Sequence, residues 1–256
     1  MIQIVKQNNE IIQYLQRDRC VNLNVLSYLA YNKDADVYIY GDNIENGIIT
    51  SSASWRFHFL ATYNRDFLKA FWEFLPAGHK MFSGVAKPIA DIMIEGKEPV
   101  WQSPCKVFIY KGGAQIVENT SDYLIEPLTV NDAEEVDKYY TYRSEGSVKR
   151  LRESIEKMDS ACIRLGLDDC LASWCLVHAE DGSLGPLYTK EEFRGKGMGE
   201  ALAVHLIKKL VTKNMTPYAQ IADDNAPSLA LIKKLEDKGI GMGFSHDCVW
   251  FGLDKS

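Results

Sequence analysis

Glycines at 195, 197 and 199 stand between a short strand-like run, Leu187-Tyr188-Thr189, and an unbroken apolar-periodic stretch over residues 202–210. The turn between them is charged and reads Lys190-Glu191-Glu192-Phe193-Arg194. Glycines at alternate positions let a backbone fold tightly and come close to a ligand. A helix that starts there adds amides without helical partners and the positive end of its dipole. The two features make a seat for a phosphate-bearing ligand. They confine this region to folds in which a strand runs into a helix through a glycine turn.

Two such folds fit poorly. The P-loop needs Gly-Lys-Ser or Gly-Lys-Thr after its first glycine, and neither tripeptide occurs. The dinucleotide fingerprint needs G-x-G-x-x-G, and Gly195-x-Gly197-x-Gly199 is one residue short. Asp223 and Asp224 do follow a second strand-like run, at 217–222, as a ribose-binding acid would. The chain after that run is too short for the rest of a doubly wound sheet, so a nicotinamide dehydrogenase is a distant alternative.

The junction resembles that of the GCN5-related N-acetyltransferases (GNAT). Arg194, Gly197 and Gly199 fill the family's Gln/Arg-x-x-Gly-x-Gly/Ala motif, and Tyr188-Thr189 with Glu192-Phe193-Arg194 is similar to its lead-in. A second stretch, over residues 219–231, resembles the family's strand, Asn-x-x-Ser and following helix, with Asn225 and Ser228 in the two polar positions. Lys238-Gly239-Ile240 is the counterpart of the family's Gly-Phe-like ending. By residue chemistry alone, Asp224 or Asn225 can cap that helix and Pro227 suits its first turn. Leu229, Ile232 and Leu235 have helical spacing.

The resemblance implies acetyl-CoA or another acyl-CoA as cosubstrate. The pyrophosphate would lie on the segment Arg194, Gly195, Lys196, Gly197, Met198, Gly199 and Glu200. The pantetheine arm would pair along Leu187, Tyr188 and Thr189 like an added strand. The backbone of Leu187 and Thr189 would make those bonds, with Tyr188 pointing to the opposite face. Asn225 and Ser228 would approach the pantetheine arm.

Composition narrows the partners. A net charge of −6 and a pI near 5.5 argue against nucleic acid as a main partner. The basic cluster Lys149-Arg150 with Arg152 is diluted by Glu145, Glu153 and Glu156 and reads as a solvated helix face. Hydrophobic content of 46% and charged content of 25% are those of a globular protein with an ordinary core. No apolar run is long enough to span a bilayer, and no secretory or mitochondrial leader opens the sequence. Six cysteines, at 20, 105, 162, 170, 175 and 248, follow no zinc spacing and read as reduced core residues. No histidine pattern suggests a metal. A cytoplasmic protein with a small-molecule amine substrate is expected, and a homodimer is compatible with it.

Two halves are expected: a GNAT domain over residues 122–256 and a degenerate GNAT-like domain over 1–115 joined by a linker at 111–122. The second half reads as a strand at 124–130, a helix opened by Asn131, a helix at 147–157, paired strands at 160–167 and 171–178 around an Asp168-Asp169 turn, and a strand at 183–189. The motif helix, the strand at 217–222, a last helix and a hairpin or single long strand at 242–253 follow. This is an α+β order with a mixed sheet, and it fits the GNAT acyltransferase fold. The first half reads as helices at 11–19 and 25–31, a hairpin over 36–51, a strand at 56–62, a helix at 66–75 and a strand at 107–110. It has no Gln/Arg-x-x-Gly-x-Gly. Residues 37–47 and Ala172-Ser173-Trp174-Cys175-Leu176 are similar to the two-domain glycine N-acyltransferase-like group.

Acyl transfer to an amine needs a proton acceptor and a donor for the developing oxyanion. The resemblance implies the backbone N–H near Thr189 as that donor. Many relatives carry a tyrosine acid where this chain has Ile232. The glycine acyltransferase group carries a glutamate base where it has Ser183. The remaining candidates are His178, Asp181, Glu191 and Glu192. His178 leads because its ordinary pKa lies near neutrality. The expected activity is acyl-CoA-dependent N-acyl transfer, and the alternative is a CoA-binding regulatory or non-catalytic GNAT module.

Overall fold

The computed structural model describes residues 1–52, 57–112, 123–166 and 168–255. The chain divides into two compact units. Unit 1 comprises 1–107, 220–225 and 244–256; unit 2 comprises 108–219 and 226–243. Of the 111–122 linker expected from sequence, 113–122 lie outside the described residues, as does Arg56.

Unit 1 begins with strand β1 (Ile2–Lys6), helices α1 (Asn9–Gln16) and α2 (Leu23–Tyr31), and strands β2 (Asp36–Tyr40), β3 (Ile48–Ser51) and β4 (Phe57–Ala61). Helix α3 (Arg65–Phe74), strand β5 (Gly78–Ala86), helix α4 (Lys87–Ile94) and strand β6 (Trp101–Tyr110) follow. Asn8 caps α1 by accepting from the Ile11 N–H, and Asn64 caps α3 by accepting from the Phe67 N–H. Pro88 sits in the first turn of α4, where its missing N–H costs nothing.

Unit 2 holds helices α5 (Ala133–Lys138) and α6 (Ser147–Lys157) and strands β7 (Ser160–Leu165), β8 (Cys170–Val177) and β9 (Leu184–Thr189). Helices α7 (Met198–Thr212) and α8 (Ala226–Asp237) also belong to unit 2; the division falls within β6, at 107/108, and within strand β10 (Tyr218–Ala222), at 219/220, and strand β11 (Met242–Lys255) belongs to unit 1 from residue 244.

The larger sheet has the order β1-β2-β3-β4-β5-β11-β6-β10, and the smaller is β7-β8-β9. Pairs β1–β2, β2–β3 and β3–β4 are antiparallel, and β4–β5 is parallel. β11 pairs antiparallel with β5, Val249 opposite Val85 and Leu253 opposite Lys80. The core of unit 1 is aromatic. Phe67, Phe71, Phe82 and Phe251 are fully buried in one cluster, each contributing roughly 1.5–3 kcal/mol of burial. Unit 2 fills the two faces of its small sheet. Trp174, Leu176 and Leu151 pack on one, and Cys175, Met198, Leu202 and Leu206 on the other.

Two sequence expectations are corrected. Residues 124–130 do not form a strand; Glu126 alone bridges Cys162. Pro127 has no N–H to continue a ladder, and the Leu128 N–H goes to the Ser160 hydroxyl instead. Asn131 does not cap the helix that follows. Thr129 and Asp132 do so, in a capping box that opens a short 3-10 turn ahead of α5. Of the cysteines, 105, 162, 175 and 248 are buried, whereas Cys20 is exposed and Cys170 half-buried. Among the described residues, no helix is long and apolar enough to cross a membrane.

Candidate functional site

β9 is the edge strand of the smaller sheet, and β10 belongs to the other sheet. Tyr188 lies opposite Trp174 on β8, and the Lys190 N–H donates to Ala172 O. Antiparallel ladders alternate, so Tyr188 and Lys190 turn their amides toward β8, and Leu187 and Thr189 turn theirs outward. The side chains alternate too. Tyr188 packs at 5.2 Å from Trp174 and 4.9 Å from Tyr139, while Leu187 faces the cluster of Met198 and Leu202.

The turn after β9 is built by Arg194. Its Nε donates to Thr189 O at 3.1 Å and a terminal nitrogen to the Tyr188 hydroxyl at 3.3 Å, with the guanidinium 5.4 Å over the Tyr188 ring. Glu191 pairs with it at 3.4 Å. The Tyr123 hydroxyl donates to Lys196 O, and the Lys196 ammonium lies 5.5 Å over the Phe193 ring.

Gly195 and Gly197 both have left-handed backbone, at φ 77° and 80°, a conformation that glycine adopts without steric penalty. A Cβ on either would meet nothing within 4 Å. Gly197 is the N-cap of α7, and no side chain caps the helix there. The first-turn amides of Met198, Gly199 and Glu200 have no acceptor within the helix. Gly199 has a different reason: a Cβ there would lie 3.2 Å from a Leu187 methyl and 3.5 Å from the Thr189 hydroxyl. The helix lies close on β9 at residue 199, where a side chain would require the Leu187 methyl to give by a few tenths of an ångström.

The side chains of Met198 and Glu200 are committed elsewhere. Met198 is buried in the core. Glu200 pairs with Lys234 at 2.6 Å and with Lys238, both on α8. Burial opposes its ionisation, but the two lysines outweigh that and hold its carboxyl below the usual range. Asn225 is exposed and its N–H closes the turn after β10 on Ala222 O; Ser228 is half-buried in the first turn of α8. Asp223 pairs with Lys106 at 2.9 Å.

A second polar cluster lies just before β9. The chain turns tightly from His178 to Ser183: the His178 N–H donates to Ser183 O, and the Gly182 N–H to His178 O. Asp181 is buried and organises the turn, its Oδ1 accepting from the Ser183 N–H at 3.0 Å and hydroxyl at 2.7 Å. The Tyr218 hydroxyl donates to Asp181 O at 2.5 Å. Ser183 therefore spends its hydroxyl on structure. Glu180, which the sequence did not single out, lies with Oε2 3.5 Å from His178 Nδ1. Burial alone would lower the imidazole pKa, but Glu180 and then Asp181 raise it above the ordinary value, against a weaker opposing effect of Arg150. Glu191 and Glu192 lie in the short 3-10 turn after β9, Glu191 well exposed. Ile232 is buried in α8.

A surface hollow of about 420 Å³ in unit 1 has Trp72, Lys97 and Lys255 in its wall. Its cations are already engaged. Lys255 donates to Trp72 O and Glu73 O, and Lys97 to Met93 O.

Residues 163–242, from β7 through the first residue of β11, match the family model described as FR47-like protein. Among solved structures, the chain is similar to a Drosophila protein at 18% identity and TM-score 0.68, over 97% of this chain and 91% of that one. It is similar to a GCN5-related N-acetyltransferase-like protein from Streptococcus suis at 14% identity and TM-score 0.55, over 96% and 99%. A tandem GNAT protein from the clavulanic acid biosynthesis pathway aligns at 11% identity and TM-score 0.53, over 99% and 98%. No protein of curated function matches. The fold is that of the GNAT superfamily. That likeness does not divide the superfamily further, so it leaves the glycine N-acyltransferase-like group as a resemblance of sequence alone.

Proposed function

We propose that the protein is a cytoplasmic acyl-CoA-dependent N-acyltransferase, using acetyl-CoA or another short acyl-CoA and transferring the acyl group to the amine of a small molecule or amino acid. One observation carries the reading: the start of α7 is an uncapped helix end behind two left-handed glycines with open space in front of them. A diphosphate placed there accepts from the amides of Gly197, Met198, Gly199 and Glu200 and meets the dipole's positive end. Arg194 and Lys196 add charge at its rim. The outward amides of Leu187 and Thr189 suit a two-amide pantetheine arm laid along the edge of β9, which places the thioester toward the start of that strand. The N-terminal half, 1–115, would then be a degenerate GNAT-like domain without a CoA seat.

In the reaction, the ammonium of the acceptor loses a proton and the free nitrogen attacks the thioester carbonyl. A donor on the carbonyl oxygen stabilises the charge that develops there, and an outward N–H of β9 is available for it. The alternative, a CoA-binding module without turnover, is favoured by Ile232 and Ser183, apolar or hydrogen-bonded where relatives carry reacting groups. Titration calorimetry with CoA and with NAD, together with thiol release from acetyl-CoA across an amine library, separates these readings. CoA should bind once per chain and NAD should not. Thiol release that depends on an amine selects the enzyme, and binding without release selects the module.

A further inference from the structure

We infer that Glu180 is a positioning residue that orients His178 so that its Nε2 accepts the proton of the acceptor amine. The inference rests on the acyl-transfer reading above and gives it a proton path.

The two nitrogens of the ring face different neighbours. Nδ1 is turned to Glu180 Oε2, 3.5 Å away, and a Cβ on Gly185 would lie 3.4 Å from Nε2. Nε2 therefore faces the strand along which the thioester is proposed to lie, at a residue without a side chain. Gly185 stands four residues before Thr189, roughly 13 Å along a strand at its usual rise. An arm running back along β9 from the glycine loop ends in this neighbourhood.

Glu180 is held for its task. It is only 13% exposed at the side chain, against 22% for His178. Burial opposes its ionisation, yet His178 brings its pKa below the usual carboxylate range. The Ala179 N–H, one residue before Glu180, is pinned by the Ser154 hydroxyl. An ionised carboxylate on Nδ1 fixes the tautomer with Nε2 as acceptor and stabilises the imidazolium that forms. The other charged and titratable groups around the ring are Asp181 on the same turn, Arg150 on α6 and Tyr140 between α5 and α6. Tyr140 is held neutral, its pKa raised first by burial and then by Glu180. Asp181 is itself pushed up by burial and spends Oδ1 on Ser183. Of the two carboxylates, Glu180 is the one that lies against Nδ1 and has the larger effect on the ring.

The step balances as follows. Nε2 takes one proton from the primary ammonium, and the nitrogen lone pair forms a C–N bond to the thioester carbonyl carbon. The C–S bond breaks, and sulfur leaves with its electron pair. The thiolate takes the second proton, shed by the nitrogen, and His178 returns the first to solvent. Ammonium and thioester become amide, thiol and one released proton.

Three readouts test this on the full chain. In ¹³C-labelled protein, the His178 resonance, assigned with His178→Gln, should titrate above pH 6.5 and move down in Glu180→Gln. With acetyl-CoA and phenylethylamine, spermidine or glycinamide as acceptors, His178→Gln should lower kcat by roughly 10²–10⁴-fold. Glu180→Gln should lower kcat less and shift the acid limb of the kcat/KM profile to lower pH, with Glu180→Asp restoring part of the rate. CoA affinity should be unchanged in all three variants. Failure of the wild-type protein to bind CoA would sink the acyl-transfer reading itself. If CoA binds, the inference is overturned by an unmoved His178 titration or acid limb in Glu180→Gln, by a full rate in His178→Gln, or by no thiol release with any of the three amines.

Discussion

In unit 1, the antiparallel strands β2, β3 and β4 lead into helix α3; in unit 2, β7, β8 and β9 lead into helix α7. The first junction is three residues, Thr62-Tyr63-Asn64, and its polar groups are consumed locally. Asn64 accepts from the Phe67 N–H and donates to the Asn46 side chain, and the Thr62 hydroxyl donates to Asn46 O. The second junction is longer and ends on Gly197 with no side chain over the helix end. One topology thus gives a closed helix terminus in one place and an open one in the other. An anion seat comes from what is left off the helix end, and the fold alone does not supply it.

The histidines near the two junctions differ in the same sense. His58 on β4 is buried between Phe71 and Phe82, with Nδ1 2.7 Å from the Ser51 hydroxyl. Burial, and then the charge of Lys80, lowers its pKa to about 4. His178 is pushed the other way by carboxylates. The first is a packed core group, and the second sits beside two carboxylates in the turn between β8 and β9.

The sharpest way to break the comparison is to close the open end. Gly197→Asp puts a carboxylate where the phosphates would lie and forces a left-handed residue to carry a side chain. CoA affinity by calorimetry should fall at least about 100-fold, on the order of 3 kcal/mol; unchanged affinity would remove the loop from the site. Next in size is the acid response of His58. Its folded pKa is depressed below the unfolded value, so the stability it gives is complete above pH 6.5 and is lost as pH falls toward 4. The loss over that window is about 3 kcal/mol. Urea denaturation at pH 7, 5.5 and 4.5 should show His58→Gln less stable than the parent at pH 7, with the gap closing toward pH 4.5. A constant gap would mean that His58 is not held neutral.

A smaller effect is expected from Arg194→Ala, which removes a charge at the rim of the seat and the tie between the turn and β9. CoA binding should weaken by on the order of 1–3 kcal/mol, with the largest loss at low salt. Indifference would make Arg194 a purely structural part of the turn. The smallest tests the closed end. Asn64→Ala should cost about 1 kcal/mol of stability as a lost cap, seen in the urea midpoint, and leave CoA affinity untouched. A change in CoA binding would mean that the first junction is not inert.

Where periodicity was strong, the sequence was legible. Helix α6 spans the same residues as its Val148, Leu151 and Ile155 spacing demands, and the Asp168-Asp169 turn joins β7 to β8 as read, with Asp169 in left-handed backbone. The glycine junction was legible because two of its glycines take left-handed backbone and the third packs close on β9. β5 was not. It carries Lys80, Ser83 and Gly84 in its buried stretch, so its apolar residues do not alternate. α4 is only eight residues long and begins beside a proline, which reads as a break. Pro127 was visible and was outweighed by the apolar residues around it. Glu180 is not legible because it lies beyond the end of β8, where the alternation of a strand no longer says which way a side chain points. The turn closed by Gly182 is what brings its carboxylate back to His178. The stretch of β11 reads equally as a hairpin or one long strand, and nothing in its residues says which neighbours it pairs with.

That last point governs how the chain must be assembled during synthesis. β11 inserts between β5 and β6, in the middle of the larger sheet, although it follows every other strand in sequence. While the ribosome is still producing unit 2, β5 exposes a row of amides and carbonyls to solvent, with fully buried residues such as Phe82 and Val85 uncovered by Phe251 and Val249. Unpaired apolar edges of this kind invite pairing with other nascent chains. The N-terminal unit, first to be made, is therefore the last to close, and a stalled or clipped C-terminus leaves it without its central strand.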